Sequence, residues 1–522
     1  MNDEKTVRLA KPVKKGILHL LFSRFFIIIL LLAVQIFLLA AVFHWLKPYI
    51  APLALLQSLF VLAMVIYLFN STMSSSSKLT WMFIIAILPQ AGAMLLLFVQ
   101  TNLGHRAVKR RVEEIIDETR GALEQPGEVL EALRGDSDGT DDLARYLNRS
   151  GCFPIYSGCE TRYFASGEEK FAAMLEELEK AEHYIFLEYF IIEEGYMWGR
   201  VLETLIRKAA QGVDVRVMYD GMCELSKLPF GYTKLLREKG IKAKTFAPIR
   251  PIVSSHYNYR DHRKILVVDG NTAITGGVNL ADEYINRTAP FGHWKDAAVL
   301  VRGPAVKSFT LLFLQMWNID EPGVQFSPWL RDGEAVPEHP SGFVMPFGDC
   351  PLDGDRVGES VYIDMLYRAT DYVHIMTPYL ILDSELSTAL RYAAERGVDV
   401  KLILPGIPDK KVAYALAKSH YAALTASGVK IYEYTPGFVH AKVCVSDAEK
   451  AVVGTINYDY RSLYHHFECA AYLYRTDCIG DIERDFQDTL VRCRAVTPET
   501  IAAETAFYRI TGWLMKFIAP LM

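Results

Sequence analysis

His262-Arg263-Lys264-Ile265-Leu266-Val267-Val268-Asp269 and His440-Ala441-Lys442-Val443-Cys444-Val445-Ser446-Asp447 are two copies of one pattern. In each, His, Lys and Asp stand at i, i+2 and i+7. Gly follows at i+14 (Gly276, Gly454) and Asn at i+17 (Asn279, Asn457). In an extended strand residues i and i+2 point to one face, so the imidazole and the ammonium project together. The apolar run after each Lys buries the strand and holds it. Asp269-Gly270 and Asp447-Ala448-Glu449 are turn material, and the next strand ends in small residues where backbone approaches a ligand closely. One His-x-Lys alone reads as a satisfied polar pair in a core. The whole pattern, repeated with its downstream Gly and Asn, reads as a site.

The surroundings of the two copies repeat as well. Tyr184-Ile185-Phe186-Leu187-Glu188-Tyr189-Phe190 leads into a helical pattern that ends at Gln211-Gly212, and Val213–Tyr219 then alternates as a strand. Tyr372–Tyr379 is likewise followed by a helix ending at Arg396-Gly397, and Val398–Leu404 follows as a strand. Both copies continue to a second helix closed by Gly, at Gly240 and Gly428. Strands alternating with Gly-stopped helices predict an α/β unit with much parallel pairing, present twice at an offset of about 185 residues. Two long copies exclude a solenoid.

Two His, two Lys and two Asn converging across a pseudo-twofold interface make a pocket for a tetrahedral anion. Lys264, Lys442, Asn279 and Asn457 would donate to non-bridging phosphate oxygens and stabilise charge in the transition state. One imidazole attacks phosphorus and the other protonates the leaving alkoxide. A carboxylate must hold each ring in the right tautomer, and Asp296 and Glu468 are the candidates. The adjacent pair His465-His466 reads as a strand-end surface feature, and no Cys/His cluster with metal-ligand spacing exists.

Upstream, the chain changes character. Of 522 residues 51% are hydrophobic, which excludes disorder, and eight cysteines spread over that length exclude a disulfide-built mini-protein. Residues 1–111 carry 12 Lys/Arg against Asp3 and Glu4, whereas the remainder carries 44 basic against 59 acidic side chains. A cationic, apolar head thus precedes an acidic body. Phe25–Leu46, Ile50–Phe69 and Leu79–Gln100 are each about 20 residues, enough for roughly 30 Å of hydrocarbon. Pro89, Gln90 and Gly92 interrupt the third run, which is either a kinked span or a re-entrant hairpin. Lys5, Arg8, Lys11, Lys14, Lys15 and Arg24 before the first run, and Arg106, Lys109, Arg110 and Arg111 after the third, both ask for the inner side. Three full spans cannot satisfy both, so either the third run is re-entrant or the body lies outside; a multi-pass cell-membrane protein with its body on the cytoplasmic face is expected. The resulting division is a membrane anchor of two or three helices (1–105), a charged linker (106–150), and two repeats (151–335 and 336–522). The run Tyr508–Met522 is either an interfacial helix or a core helix of the second repeat.

The two motifs resemble the duplicated HxKxxxxD signature of the phospholipase D superfamily, and within it the chain is similar to the bacterial cardiolipin synthases over nearly its whole length. Lys78-Leu79-Thr80-Trp81 with Pro89 is similar to the last membrane segment of that family, and Ser157-Gly158 and Tyr189-Phe190-Ile191 to its first repeat. Gly276–Tyr284 and Gly454–Ser462 resemble its two post-motif stretches. One departure is His466-Phe467-Glu468, where the family commonly shows Asn-Phe-Glu. The resemblance implies an α/β body of two phospholipase D-like α/β/α repeats, and catalytic His262, Lys264, Asp269, His440, Lys442 and Asp447. It implies transfer of a phosphatidyl group from one phosphatidylglycerol to another through a phosphohistidine, with His262 attacking and His440 as acid/base. No metal or cofactor is implied, because the Lys and Asn side chains already supply donors. A hydrolase would use the same residues with water as acceptor. A nuclease is disfavoured by the acidic body and the anchor, so no nucleic-acid partner is expected. A non-catalytic membrane scaffold would show a broken motif, and neither copy is broken.

Overall fold

The computed structural model describes residues 50–521 apart from 101–102, 137–138, 152, 249–258, 322, 324–325, 331–332 and 334–336, and a few positions before 50. The expected first span, 25–46, lies almost wholly outside the described residues. The first repeat builds a seven-stranded sheet from β1 (Glu160–Phe164), β2 (Tyr184–Tyr189), β3 (Asp214–Asp220), β4 (Lys242–Phe246), β5 (Lys264–Val268), β6 (Thr272–Gly276) and β7 (Ala298–Arg302). Their order across the sheet is β1-β7-β6-β5-β2-β3-β4. The second repeat supplies β8 (Phe343–Asp349), β9 (Tyr372–Met376), β10 (Asp399–Pro405), β11 (Lys430–Tyr434), β12 (Val443–Ser446), β13 (Lys450–Gly454) and β14 (His466–Tyr474). Their order, β8-β14-β13-β12-β9-β10-β11, repeats the first sheet strand for strand; the short strand Cys493–Ala495 adds an edge beside β11.

Within each repeat's main sheet path, the parallel pairs are those of β2-β3-β4 and β9-β10-β11, where helices make the crossovers. The strands bearing the motifs pair antiparallel with both neighbours. Each sheet is therefore mixed, less parallel than the alternation of strands and helices suggests, because β5–β6 and β12–β13 are hairpins joined by tight turns. Asp269 and Asp447 sit in those turns with φ of 53° and 55°, the left-handed region that Asp tolerates better than most residues.

The segment after the apolar region forms three helices, Leu103–Thr119, Gly127–Asp136 and Thr140–Gly151. Leu133, Leu143 and Leu147 enter the same core as Phe347, Val361 and Leu366 of the second repeat, so this segment packs on the body.

Ahead of it, Ile50–Asn70 is a 21-residue apolar helix, long enough to cross a membrane and almost entirely unburied. The next apolar run breaks at Leu88-Pro89 into helices Ser75–Ile87 and Pro89–Gln100. They fold back on one another. Leu96 shares a buried cluster with Trp81 and Ile85, and a Cβ on Gly92 would lie 3.0 Å from the Ile84 carbonyl oxygen. At 13 and 12 residues each arm is about 20 Å long.

The C-terminal helix Ala506–Ile518 buries one face and exposes the other. Gly512 is buried against the helix Lys411–Ala426, where a Cβ would meet the Ala415 carbonyl oxygen at 2.4 Å. Its opposite face presents Phe507, Ile510, Leu514 and Trp513, the last 75% exposed. It is not a core helix. Its end touches the Ser75–Gln100 hairpin: the Thr80 hydroxyl donates to the Phe517 carbonyl at 2.8 Å, and the Phe83 and Phe517 rings pack edge-on at 4.3 Å. Replacing Gly512 by Val is expected to pry this helix off the body. Limited proteolysis should then cut the full-length protein near Glu504-Thr505 faster than wild type; equal cleavage rates would show that the close approach does not hold the helix.

Candidate active site

Two short parallel ladders join the repeats and set the site. Gly437–Val439, immediately before His440, pairs with His293–Lys295, immediately before Asp296. Arg260-Asp261, immediately before His262, pairs with His466-Phe467, immediately before Glu468. The ladders end in equivalent hydrogen bonds, His440 N–H to the Lys295 carbonyl at 2.7 Å and His262 N–H to the Phe467 carbonyl at 2.9 Å. Each imidazole consequently meets the carboxylate of the opposite repeat. His440 Nδ1 lies 2.8 Å from Asp296 Oδ2, and His262 Nδ1 lies 2.9 Å from both oxygens of Glu468. With Nδ1 engaged by a carboxylate, Nε2 is the nitrogen left for chemistry.

The two halves hold their carboxylates differently. A Cβ on Gly277 would fall 2.0 Å from Asp296 Oδ1, so the close approach of Asp296 requires glycine there. Trp294 Nε1 and the Ala297 N–H donate to Asp296. In the second repeat Thr455 stands where Gly277 stands in the first, and its hydroxyl donates to Glu468.

Lys264 and Lys442 are both buried and donate to the carbonyls of His262 and His440 respectively. Burial pushes Lys264 down to about 8 and Lys442 to about 7. Burial, then Lys442, pushes His440 down to about 4 against the pull of Asp296. Burial, with Lys264 and Lys442, drives His262 well below the ordinary histidine value. Burial opposes the Asp296 carboxylate, yet His440, Lys442 and the Ala297 N–H together hold it below the usual carboxylate range. The site thus resists further positive charge, as a set of groups that receives an anion should. Its walls are aromatic: Phe190 lies 5.0 Å from the His262 ring, and Tyr284 and Trp294 each 5.3 Å from His440.

Asn279 is buried, accepts from the Ile191 N–H and donates to the Tyr284 hydroxyl, which leaves one amide hydrogen for a ligand. Asn457, also buried, has no partner on Oδ1. Asp269 and Asp447 do not converge on the site. Each lies at the far end of its strand, five residues beyond the Lys, about 17 Å away at strand rise. Asp269 accepts from the backbone N–H groups of Glu182, His183 and Tyr184, and Asp447 from those of Thr370, Asp371 and Tyr372. They tie the hairpin turn to the start of the neighbouring strand and are positioning residues, out of reach of reacting atoms.

His466 corrects the surface reading of the His465-His466 pair. It is buried, its ring centroid 5.2 Å from that of His262, and its Nδ1 3.6 Å from Glu468 Oε1. The available signal was the i, i+2 relation to Glu468, which puts both on one face of β14. His262, His466 and Glu468 bring one ligand atom each within 4.8 Å of one another. Two imidazoles and a carboxylate form a set that takes zinc, although here Glu468 is already engaged by His262 and Thr455.

Paired imidazoles with crossed carboxylates, on two sheets of identical strand order, place the protein in the phospholipase D class. A family model described as cardiolipin synthase, phospholipase D-like domain, matches residues 174–317 and 362–490. An uncharacterised protein of Streptococcus mutans is 53% identical over 460 residues, 88% of this chain and 99% of that protein. A cardiolipin synthase of Alkalihalophilus pseudofirmus is 31% identical over 477 residues, 91% and 94% of the two chains. One from a Geobacillus species is 32% identical over 499 residues, 95% and 99%. The crystal structure of phosphatidylserine synthase from Haemophilus influenzae shares the fold, with a TM-score of 0.55 at 14% identity over 74% of this chain and all of that one. The chain belongs to the cardiolipin synthase family of phospholipase D-like proteins.

Two measurements check these placements. Asp447→Ala strands three backbone N–H groups and should cost about 1–3 kcal/mol, lowering Tm while the enzyme that remains folded keeps its turnover; loss of turnover at unchanged Tm would return Asp447 to the reacting centre. The second is pH dependence. Burial holds His466 at about 3 and His440 at about 4, while the unfolded chain titrates near 6.5. Folded values below unfolded ones mean that the unfolded state binds the extra protons, so stability is lost as pH falls from about 6.5 towards 4, by about 1.4 kcal/mol per pH unit and imidazole. His466→Asn should flatten the fall of Tm over that window by one imidazole's share, and an unchanged slope would show that His466 is protonated in the fold.

Proposed function

We propose that this protein is a membrane-bound cardiolipin synthase that joins two phosphatidylglycerol molecules. The observation that carries the reading is the pair of crossed His–carboxylate contacts, one per repeat, in a chain of the cardiolipin synthase family. His262 Nε2 attacks phosphorus; the N–P bond forms as the bond to the glycerol oxygen breaks, and His440 gives its proton to the departing alkoxide. His440, now neutral, accepts the proton of a hydroxyl on the second phosphatidylglycerol, whose oxygen displaces His262 and leaves cardiolipin. Lys264, Lys442 and the amide groups of Asn279 and Asn457 face the non-bridging oxygens. Arrival of the phosphodiester monoanion offsets the two ammoniums and raises the proton affinity of the imidazoles, which supplies the protonated His440 the first step needs.

The membrane arrangement belongs to the same proposal. The hairpin Ser75–Gln100 has arms too short to cross singly, so it enters and leaves on one side. With spans at 25–46 and Ile50–Asn70, both cationic flanks then lie inside and the body is cytoplasmic. The exposed face of Ala506–Ile518, Trp513 foremost, continues from the hairpin it touches and rests in the headgroup layer. A C-terminal green fluorescent protein fusion should fluoresce and a C-terminal alkaline phosphatase fusion should be inactive; the reverse would place the body outside.

The activity is tested with purified full-length protein in phosphatidylglycerol vesicles, beside His262→Ala and His440→Ala. Cardiolipin with equimolar glycerol, absent from both variants, is expected. Phosphatidic acid without cardiolipin would make the protein a hydrolase, and no product in wild type would favour a scaffold.

A further inference from the structure

The family chemistry uses His262 and His440 and leaves a third imidazole in the same pocket without employment. His466 is buried, with its ring tilted 38° against that of His262 and 6.4 Å from Phe190. Neither ring nitrogen has a hydrogen-bond partner, and its closest charged group, Glu468, is 3.6 Å away and already accepts from His262 and Thr455. The groups that face it are Glu468, which favours its protonation, and His262 and Arg461, which oppose it; burial outweighs all three and keeps the ring neutral.

A neutral imidazole offers one N–H donor and one lone-pair acceptor. Left unmade inside a protein, each costs about 1–3 kcal/mol, and the ordinary reason for carrying such a cost in a cleft is a ligand that repays it. A non-bridging phosphate oxygen accepts only, and would satisfy one of the two nitrogens. Those oxygens are moreover served by Lys264 and Lys442. A hydroxyl donates and accepts, so a polyol with adjacent hydroxyls matches both nitrogens at once.

Resting on the cardiolipin synthase reading, we propose that His466 binds the free hydroxyls of the glycerol headgroup at the reacting phosphate, and so selects a polyol over a simple alcohol or water as the acceptor. The strand geometry suits the role. His466 and Glu468 lie on one face of β14, so the residue that grips the headgroup and the residue that orients His262 are fixed by the same strand. His466 makes no bond to phosphorus and moves no proton; it is a specificity-determining contact.

The test is a competition. Full-length protein in phosphatidylglycerol vesicles receives labelled glycerol and 1-propanol at equal concentration, and labelled phosphatidylglycerol and phosphatidylpropanol are measured. 1-Propanol is glycerol without its two further hydroxyls, so wild type should favour glycerol by about tenfold or more, the ratio that 1.4 kcal/mol of hydrogen bonding gives. His466→Phe keeps a flat ring and removes both nitrogens, and should bring the ratio to within about twofold of unity. His466→Asn keeps a donor and an acceptor and should retain most of the preference. A wild-type ratio in His466→Phe, or both products falling in parallel at constant ratio, overturns the assignment and leaves His466 a packing residue. Wild type that makes neither alcohol product, and only phosphatidic acid, fails earlier: it overturns the transferase reading itself.

Discussion

Everything at the centre of this molecule depends on two short ladders that run between the repeats. Three residues of each repeat's edge, Gly437–Val439 against His293–Lys295, and two on the other side, Arg260-Asp261 against His466-Phe467, are enough to bring each motif histidine onto a carboxylate from across the interface. Backbone pairing fixes position to a few tenths of an ångström, which side-chain packing alone seldom does. The imidazoles inherit that accuracy because each follows its ladder directly. The lysines inherit it in turn, since each ammonium is anchored to the carbonyl of the histidine two residues before it.

The electrostatics follow from the same closure. Bringing two lysines and two imidazoles into one buried space makes every added proton unfavourable, and Asp296 and Glu468 relieve only part of this. Such a pocket is under electrostatic tension until a phosphodiester enters. The tension is stored where charge will develop in the transition state, so relief comes with binding and chemistry together.

Much of this was legible in the chain. The repeat of His, Lys, Asp, Gly and Asn at fixed offsets announces two matching strands and a phosphoryl site, and Gly-stopped helices announce the α/β repeats. The limits were physical. The crossing of carboxylates was hidden because Asp296 and His440 lie 144 residues apart, and His262 and Glu468 206 apart, with contacts made by strands of different repeats. The family resemblance counts Asp269 and Asp447 with the catalytic residues, but the turn reading of the same residues is the one their backbone contacts match. His466 looked superficial beside His465, although period-two alternation placed it with Glu468. The interrupted third apolar run left two readings open, and only the packing of Leu96 on Trp81 and Ile85 separates a fold-back from a kink.

The crossed carboxylates also mean that neither repeat owns a working centre. A lone repeat would have its histidine and its carboxylate facing outward, useless until a second copy docked about a twofold axis and supplied the missing partner to each. In one chain the two halves need not be identical. Here one half keeps glycine beside a short carboxylate, while the other has threonine beside a long one and a third imidazole close by. Two halves alike in strand order thereby come to differ in the side chains that line the site they share.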